Sequence, residues 1–406
     1  MTAAAERPDD AADGDRLARR NAVILAVAQA LGVANNIILI STGSIVGAML
    51  APDKVLATLP LSVYVVGIWL GTLPMGMLAR RYGRRTAFQV GTACGVLTGI
   101  FCCLGILWGS FGLFMFGAFF TGFYAAAQHA YRFAAADTAS DAFRPKAISW
   151  VLFGGVGAAV IGSQTVIFTQ DIWQPYLFAA TFVAQSLLAV AAGCVLSLLN
   201  IPRPPLQAAA GAGRPLSEIV KQSRFIAAVA CGAVSYFIMN LLMTSAPLAM
   251  VMCNHSVRDA TLGIQWHALG MFVPSFFTGS LITRFGVERI VALGLALLIV
   301  SAVVGLSGIT VAHFWIGLTL LGIGWNFAFI GATAMVTQCH RPEERTRVQS
   351  FNDFLVFGSM VFSSFGSGSL LALYGWDAVN WLVFPVVFAA VALLGWLALR
   401  QRTQPA

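Results

Sequence analysis

Apolar residues in this chain come in long runs, with polar positions gathered between the runs rather than alternating through them. Twelve runs stand out, at about 22–50, 56–79, 86–107, 112–134, 147–168, 174–199, 224–252, 261–283, 289–308, 311–336, 349–372 and 378–400. Most are close to the ~20 residues that a helix needs to cross a ~30 Å hydrocarbon layer. None alternates with the two-residue period of a barrel strand, and a backbone inside hydrocarbon must satisfy its own hydrogen bonds, so all twelve are expected to be helices. The pattern predicts an all-α membrane protein with twelve transmembrane helices.

Composition agrees, with 58% hydrophobic and 10% charged residues, where an ordinary soluble domain carries about 25% charged. The net charge of +8 raises the question of a nucleic-acid partner. Placement answers it. If alternate connections lie on opposite sides, Lys54 and Arg258 stand alone on one side, and the other 22 of the 24 Lys and Arg share the side that holds both termini. By the positive-inside rule both termini are expected in the cytoplasm, with the arginines as topological anchors among membrane lipids and no nucleic acid involved. The opening MTAAAERPDDAADGDRLARR has acidic residues and no short apolar core, so it does not resemble a removable signal peptide. The cysteines, Cys94, Cys102, Cys103, Cys194, Cys231, Cys253 and Cys339, fall mostly within spans, which argues against a disulfide framework.

Internal repetition supplies the architecture. GMLARRYGRR (76–85) follows span two and GSLITRFGVER (279–289) follows span eight, so Gly76, Arg81 and Gly83 recur 203 positions later as Gly279, Arg284 and Gly286. The expected organisation is a tail at 1–21, a six-helix bundle at 22–199, a cytoplasmic linker at 200–223, a second bundle at 224–400 and a tail at 401–406. Gly67-x-x-x-Gly71, Gly91-x-x-x-Gly95 and LFGGVGAAVIG (152–162) supply the small residues that let helices approach closely.

The loop after span two resembles the G-x-x-x-(D)-R-x-G-R-R signature of the major facilitator superfamily, matched by Gly76, Arg81, Gly83, Arg84 and Arg85. The resemblance implies that fold, two pseudo-symmetric halves and alternating access. It also implies a conformational-gating role for these residues and for Gly279, Arg284 and Gly286. One position departs: Arg80 stands where the family usually has Asp, so the gating contact at this spot is expected to differ.

Cargo must be read from polar or soft side chains inside the spans. Met239 and Met243 are four apart on span seven, with Met250 seven further on, and His267 and Met271 repeat the four-residue spacing on span eight. Spans seven and eight run antiparallel, so at ~1.5 Å per residue the two pairs overlap in depth. Thioether with imidazole suits a soft ion such as copper. Met250, Met252, Cys253 and His255 would form a second group nearer one mouth, and Cys231 a receiver further along. The plain alternative is a methionine face that packs and a histidine hydrogen-bonded to a neighbouring helix.

The pairing of M-x-x-x-M with H-x-x-x-M, flanked by cysteines, resembles the CcoA-like copper importers, a bacterial branch of the same superfamily. That resemblance implies copper as transported substrate at Met239, Met243, His267 and Met271, with Cys231 and Cys253 as functional thiols. It also implies the inner membrane, a cytoplasmic copper chaperone as partner, and a role in cbb3-type cytochrome c oxidase biogenesis. The rival is a proton-coupled transporter or exporter of a small organic solute or drug, whose cavity would use Asn35, Asn36, Gln128, His129, Asn326, Asn352 and Asp353. Each of these, taken alone, better suits an interhelical hydrogen bond, and Asp353 and Arg132 lie close enough to span ends to snorkel. No nucleotide loop, matched nucleophile and base, or zinc-type cysteine spacing is present in the sequence, so neither an enzyme nor a cofactor is expected.

Overall fold

The computed structural model describes residues 8–137, 139–140, 143–201, 213–341 and 344–403. Within these, the side chains of 8–15, Arg80, Ala136, Arg144, Pro145, Arg345, Thr346, Ser350 and 401–403 are not described. The expected linker therefore lies partly outside the described residues, as do residues 1–7 and 404–406 of the expected tails and the Arg80 side chain.

All regular structure among the described residues is helical. In chain order the helices are α1 (Pro8–Leu50), α2 (Leu59–Tyr82), α3 (Arg84–Leu107), α4 (Phe111–Gln128), α5 (Tyr131–Asp137), α6 (Arg144–Thr169), α7 (Ala179–Ser197) and α8 (Leu216–Ile219). There follow α9 (Ser223–Met252), α10 (Val257–Phe272), α11 (Ser275–Phe285), α12 (Val287–Ser307), α13 (Val311–Thr337), α14 (Arg345–Trp381) and α15 (Val383–Thr403), and a 3₁₀ turn at Lys54–Leu56 precedes α2. Side chains close the exposed helix starts. Ser110 accepts from the Leu113 N–H, and Ser256 both accepts from the Asp259 N–H at 3.0 Å and donates to the Asp259 carboxylate at 2.6 Å.

Ten helical stretches among the described residues are long and apolar enough to cross a membrane. Two departures from regular helix bring these into line with the twelve apolar runs. The 54-residue stretch Arg347–Arg400 holds two spans, and the chain turns between them at Gly375 (φ 78°) inside α14. The eighth run is divided between α10 and α11 on either side of residues 273–274. Pro274 lacks the N–H that would have continued the ladder, and Asn326 of α13 takes up the slack, donating to the Met271 carbonyl at 2.6 Å and to Ser275 Oγ at 2.7 Å.

Contacts divide the chain into two units, and the division does not follow the expected linker alone. Unit 1 is residues 1–39 with 70–206, and unit 2 is residues 40–69 with 207–406, so α1 and α2 each belong partly to both. In unit 2 the α1–α2 segment packs on α14: Ser364 donates to Ser62 at 3.1 Å, and a Cβ at Gly368 would sit 1.9 Å from Thr58 Oγ1. Unit 1 closes around Phe88, Tyr131, Leu25, Val151 and Leu196, with the Phe88 and Tyr131 rings edge to face at 4.6 Å. Small residues bring its helices together, since a Cβ at Gly154 of α6 would stand 2.2 Å from the Ala26 carbonyl of α1. Unit 2 closes around α9, α12 and α13, with Leu241, Val291, Leu298, Leu321 and Met335 buried.

Candidate functional site

The duplicated loop is duplicated in conformation as well as sequence. Gly83 (φ 94°, ψ 158°) and Gly286 (φ 89°, ψ 146°) break the chain in the same way ahead of α3 and α12. Only glycine takes such a backbone without strain. Just before each, an arginine lies over the ring that follows it: Arg81 over Tyr82 at 5.3 Å and Arg284 over Phe285 at 5.2 Å. A Cβ at Gly76 or at Gly279 would meet nothing within 4 Å, so the helix face is open at both. The halves differ in their ion pairs. Arg84 pairs with Asp137 at the end of α5, whereas in unit 2 Glu288 of α12 accepts from Arg224 of α9 at 2.7 Å. Arg85 is exposed.

The methionine and histidine set lies in the interior of unit 2. Met239, Met243 and Cys231 are buried on α9, Met271 is half-buried, and Cys253 follows the end of α9. His267 is fully buried, and its Nδ1 stands 2.9 Å from the Leu318 carbonyl of α13. A carbonyl only accepts, so Nδ1 carries the proton and Nε2 is left as a bare acceptor, without a partner among the described residues. The imidazole is thus tied to α13, the helix against which α10 chiefly packs. Burial first, and Asp377 second, raise the Cys253 thiol above its ordinary range. Among the described residues no three His, Cys, Asp or Glu side chains cluster as metal ligands.

The amides of the spans form interhelical clamps. In unit 1 Asn35 Nδ2 donates to the Gln185 carbonyl at 3.0 Å while Gln185 Nε2 returns a bond to Asn35 Oδ1 at 2.7 Å, joining α1 to α7. Asn36 donates to Gln128 Oε1 at 2.8 Å, joining α1 to α4, and keeps an Oδ1 with no partner among the described residues. His129 follows as the cap of α4. In unit 2 Asn326 holds the α10–α11 break and also accepts from Thr278 at 2.6 Å, while Asn352 is buried and donates to the half-buried Asp353 at 3.1 Å.

Sequence reasoning passed over the aromatic centre of unit 2. Tyr236 of α9 stands edge-on to three rings: Trp325 at 5.2 Å, Phe329 at 4.7 Å and Phe357 at 5.7 Å. Trp325 and Phe329, one turn apart on α13, are stacked at 5.2 Å with 15° between planes. Tyr64 of α2 lies within electrostatic reach of Tyr236, and Trp69 packs on Phe354 of α14 at 5.5 Å. One turn along α9, Asn240 donates to Ser363 Oγ at 2.9 Å and to the Met360 carbonyl, pinning α14 beside the cluster. The Trp325 indole N–H is enclosed and has no acceptor among the described residues. The available signal was W-N-F-A-F (325–329), two large rings at helical spacing with an amide between them.

Two units of membrane-length helices, with the same glycine turn at equivalent places, define a multi-pass helical membrane protein built on an internal duplication. The chain belongs to the Major Facilitator Superfamily, whose family model matches residues 22–265 and 228–406. It is 50% identical over 372 residues to the riboflavin transporter RfnT of Brucella anthropi, covering 91% of this chain and 94% of that one. It is 27% identical over 381 residues to the uncharacterized MFS-type transporter YddS of Bacillus subtilis, covering 88% and 86%. Among solved structures it resembles a D-xylose-proton symporter (TM-score 0.70, 14% identity, 93% and 96% covered) and the POT family transporter PepTSo (TM-score 0.71, 12% identity, 95% and 98% covered), which speaks to the fold alone.

The copper reading is thereby corrected. A relative at 50% identity is a riboflavin transporter, which points to an organic solute and removes the grounds for copper as cargo, for a copper chaperone as partner and for cytochrome oxidase biogenesis as the role. The misreading has a physical cause. An i, i+4 pair of methionines, or of histidine and methionine, is what a packed helix face looks like in sequence, and nothing in that spacing separates a packed thioether from a liganding one.

Proposed function

We propose that this protein is a secondary transporter that carries riboflavin, or a solute built on the same ring system, across the bacterial cytoplasmic membrane into the cell. The observation that carries this reading is the 50% identity to a riboflavin transporter over nearly the full length of both chains. The aromatic centre of unit 2 supports it, because a flat heteroaromatic ring gains most from stacking faces and edge donors. In the same reading both termini are cytoplasmic, following the placement of Lys and Arg. Gly83 and Gly286, with Arg81, Arg84, Arg85 and Arg284, form the two loops that rearrange during alternating access, where Arg80 replaces the acidic partner usual in the family.

The test is growth of a riboflavin auxotroph that lacks its own carrier. Expression of this protein is expected to lower the external riboflavin needed for half-maximal growth by at least about tenfold, roughly the effect of 1.4 kcal/mol in apparent affinity. An unchanged requirement, with the protein present in the membrane, would overturn the proposal.

A further inference from the structure

We infer that the aromatic cluster of unit 2 is the subsite that holds the flat ring of the transported solute, and that the Trp325 indole N–H donates to an acceptor on that same solute; this rests on the organic-cargo reading above. Three observations carry it. First, the cluster is not sealed: Tyr236 and Trp325 are buried, while Phe329 and Phe357, both edge-on neighbours of Tyr236, are only half-buried. Second, Trp325 and Phe329 are nearly parallel, 15° apart with centroids at 5.2 Å, so the cluster contains faces that a further flat ring can extend. Third, the Trp325 N–H is buried and without an acceptor among the described residues. An enclosed donor left unpaired costs stability, which an acceptor on the solute would recover.

These features select a ligand class. An aliphatic polyol has no face to stack, and a metal cation would want oxygen or sulfur donors where this site offers ring carbon and an N–H. A tricyclic isoalloxazine ring presents an electron-poor face for the phenylalanines and carbonyl and imine acceptors for the indole donor. The polar neighbour Asn240 has both amide donor contacts on α14, so it serves to position that helix and Phe357 with it. Tyr236, touching three rings at once, fixes their mutual angles.

The experiment uses the full-length protein in two readouts. In cells, riboflavin uptake is measured for wild type, Trp325→Phe and Phe329→Leu at matched membrane levels. With purified protein, binding of lumichrome, which keeps the fused ring and lacks the ribityl chain, is followed by quenching of its fluorescence, with ribitol as competitor. The expected result is a KM raised about tenfold in Phe329→Leu and several-fold in Trp325→Phe, lumichrome binding weakened in parallel, and no competition by ribitol. Wild-type uptake with both variants unchanged would overturn the subsite while leaving riboflavin transport standing. No wild-type uptake, but lumichrome binding that both variants weaken, would support the subsite and overturn the cargo. Lumichrome binding absent in wild type, or displaced by ribitol, would overturn the subsite.

Discussion

The two units make the same glycine turn, at Gly83 and at Gly286, yet they fill their interiors differently. Unit 1 joins its helices by amide pairs, Asn35 with Gln185 and Asn36 with Gln128. Unit 2 has amide hubs at Asn326 and Asn240 and gathers a buried tyrosine and tryptophan into its rings around Tyr236, where unit 1 gathers phenylalanines around Phe120. Where the halves agree, the shared backbone turn serves the fold. Where they differ, the difference belongs to what each half must hold. The amide pairs each fix a helix pair while leaving Asn36 Oδ1, Gln128 Nε2 and Gln185 Oε1 without partners among the described residues, and the ring cluster leaves the Trp325 N–H without one.

That contrast can be broken from either side. The largest effect is expected in unit 2: Tyr236→Ala removes the ring on which three others rest and should lower stability by about 3 kcal/mol, read as an earlier thermal unfolding midpoint in detergent. Asn326→Leu should follow at roughly 2 kcal/mol, because three short bonds disappear and the Met271 carbonyl at the Pro274 break keeps only the longer bond from Ser275 Oγ. Gln185→Leu, which cuts the reciprocal clamp of unit 1, should cost about 1 kcal/mol on the same measurement. A loss for Gln185→Leu greater than for Tyr236→Ala would reverse the proposed difference between the interiors. Arg84→Gln should shift the midpoint least, within about 0.5 kcal/mol, since both partners of its ion pair with Asp137 are partly solvated.

A pH scan sharpens the comparison further. In unit 2 Glu344 has a buried side chain and accepts from Arg214 through both carboxylate oxygens, at 2.9 and 2.8 Å, and from the Arg341 backbone N–H at 2.9 Å. The Arg214 guanidinium first, and the Arg341 and Arg214 backbone N–H groups after it, hold the Glu344 carboxyl well below the usual carboxylate range. A depressed folded value means a contribution fully present above the unfolded value of about 4.3 and lost as pH falls toward the folded one. From this group, stability should be flat between about pH 5 and 8 and decline below about pH 4, and Glu344→Gln should flatten that acid decline. An equally steep acid decline in the variant would remove Glu344 as its source.

The helices were legible because a membrane forces apolar length and internal hydrogen bonding on the sequence. The duplicated loop was legible because positive φ requires glycine at both Gly83 and Gly286. The break at Pro274 was hidden within an unbroken apolar run, and the membership of residues 40–69 in unit 2 depends on contacts between distant parts of the chain, which hydropathy does not encode. Inside the spans, Met239, Met243, His267 and Met271 drew attention because soft ligands are rare and carry a ready chemistry. Tyr236, Trp325 and Phe329 did not, because among 30 Phe and 10 Trp any ring pair at helical spacing passes for ordinary core. Their arrangement depends on α9, α13 and α14 meeting, which spacing along one helix cannot reveal.

The most direct measurement of the central claim is counterflow in proteoliposomes containing the purified protein. Vesicles preloaded with excess unlabelled riboflavin are expected to draw labelled riboflavin transiently above its equilibrium level, and vesicles preloaded with copper are expected to draw none. Overshoot with copper, or no overshoot with riboflavin from protein that is folded and inserted, would contradict it.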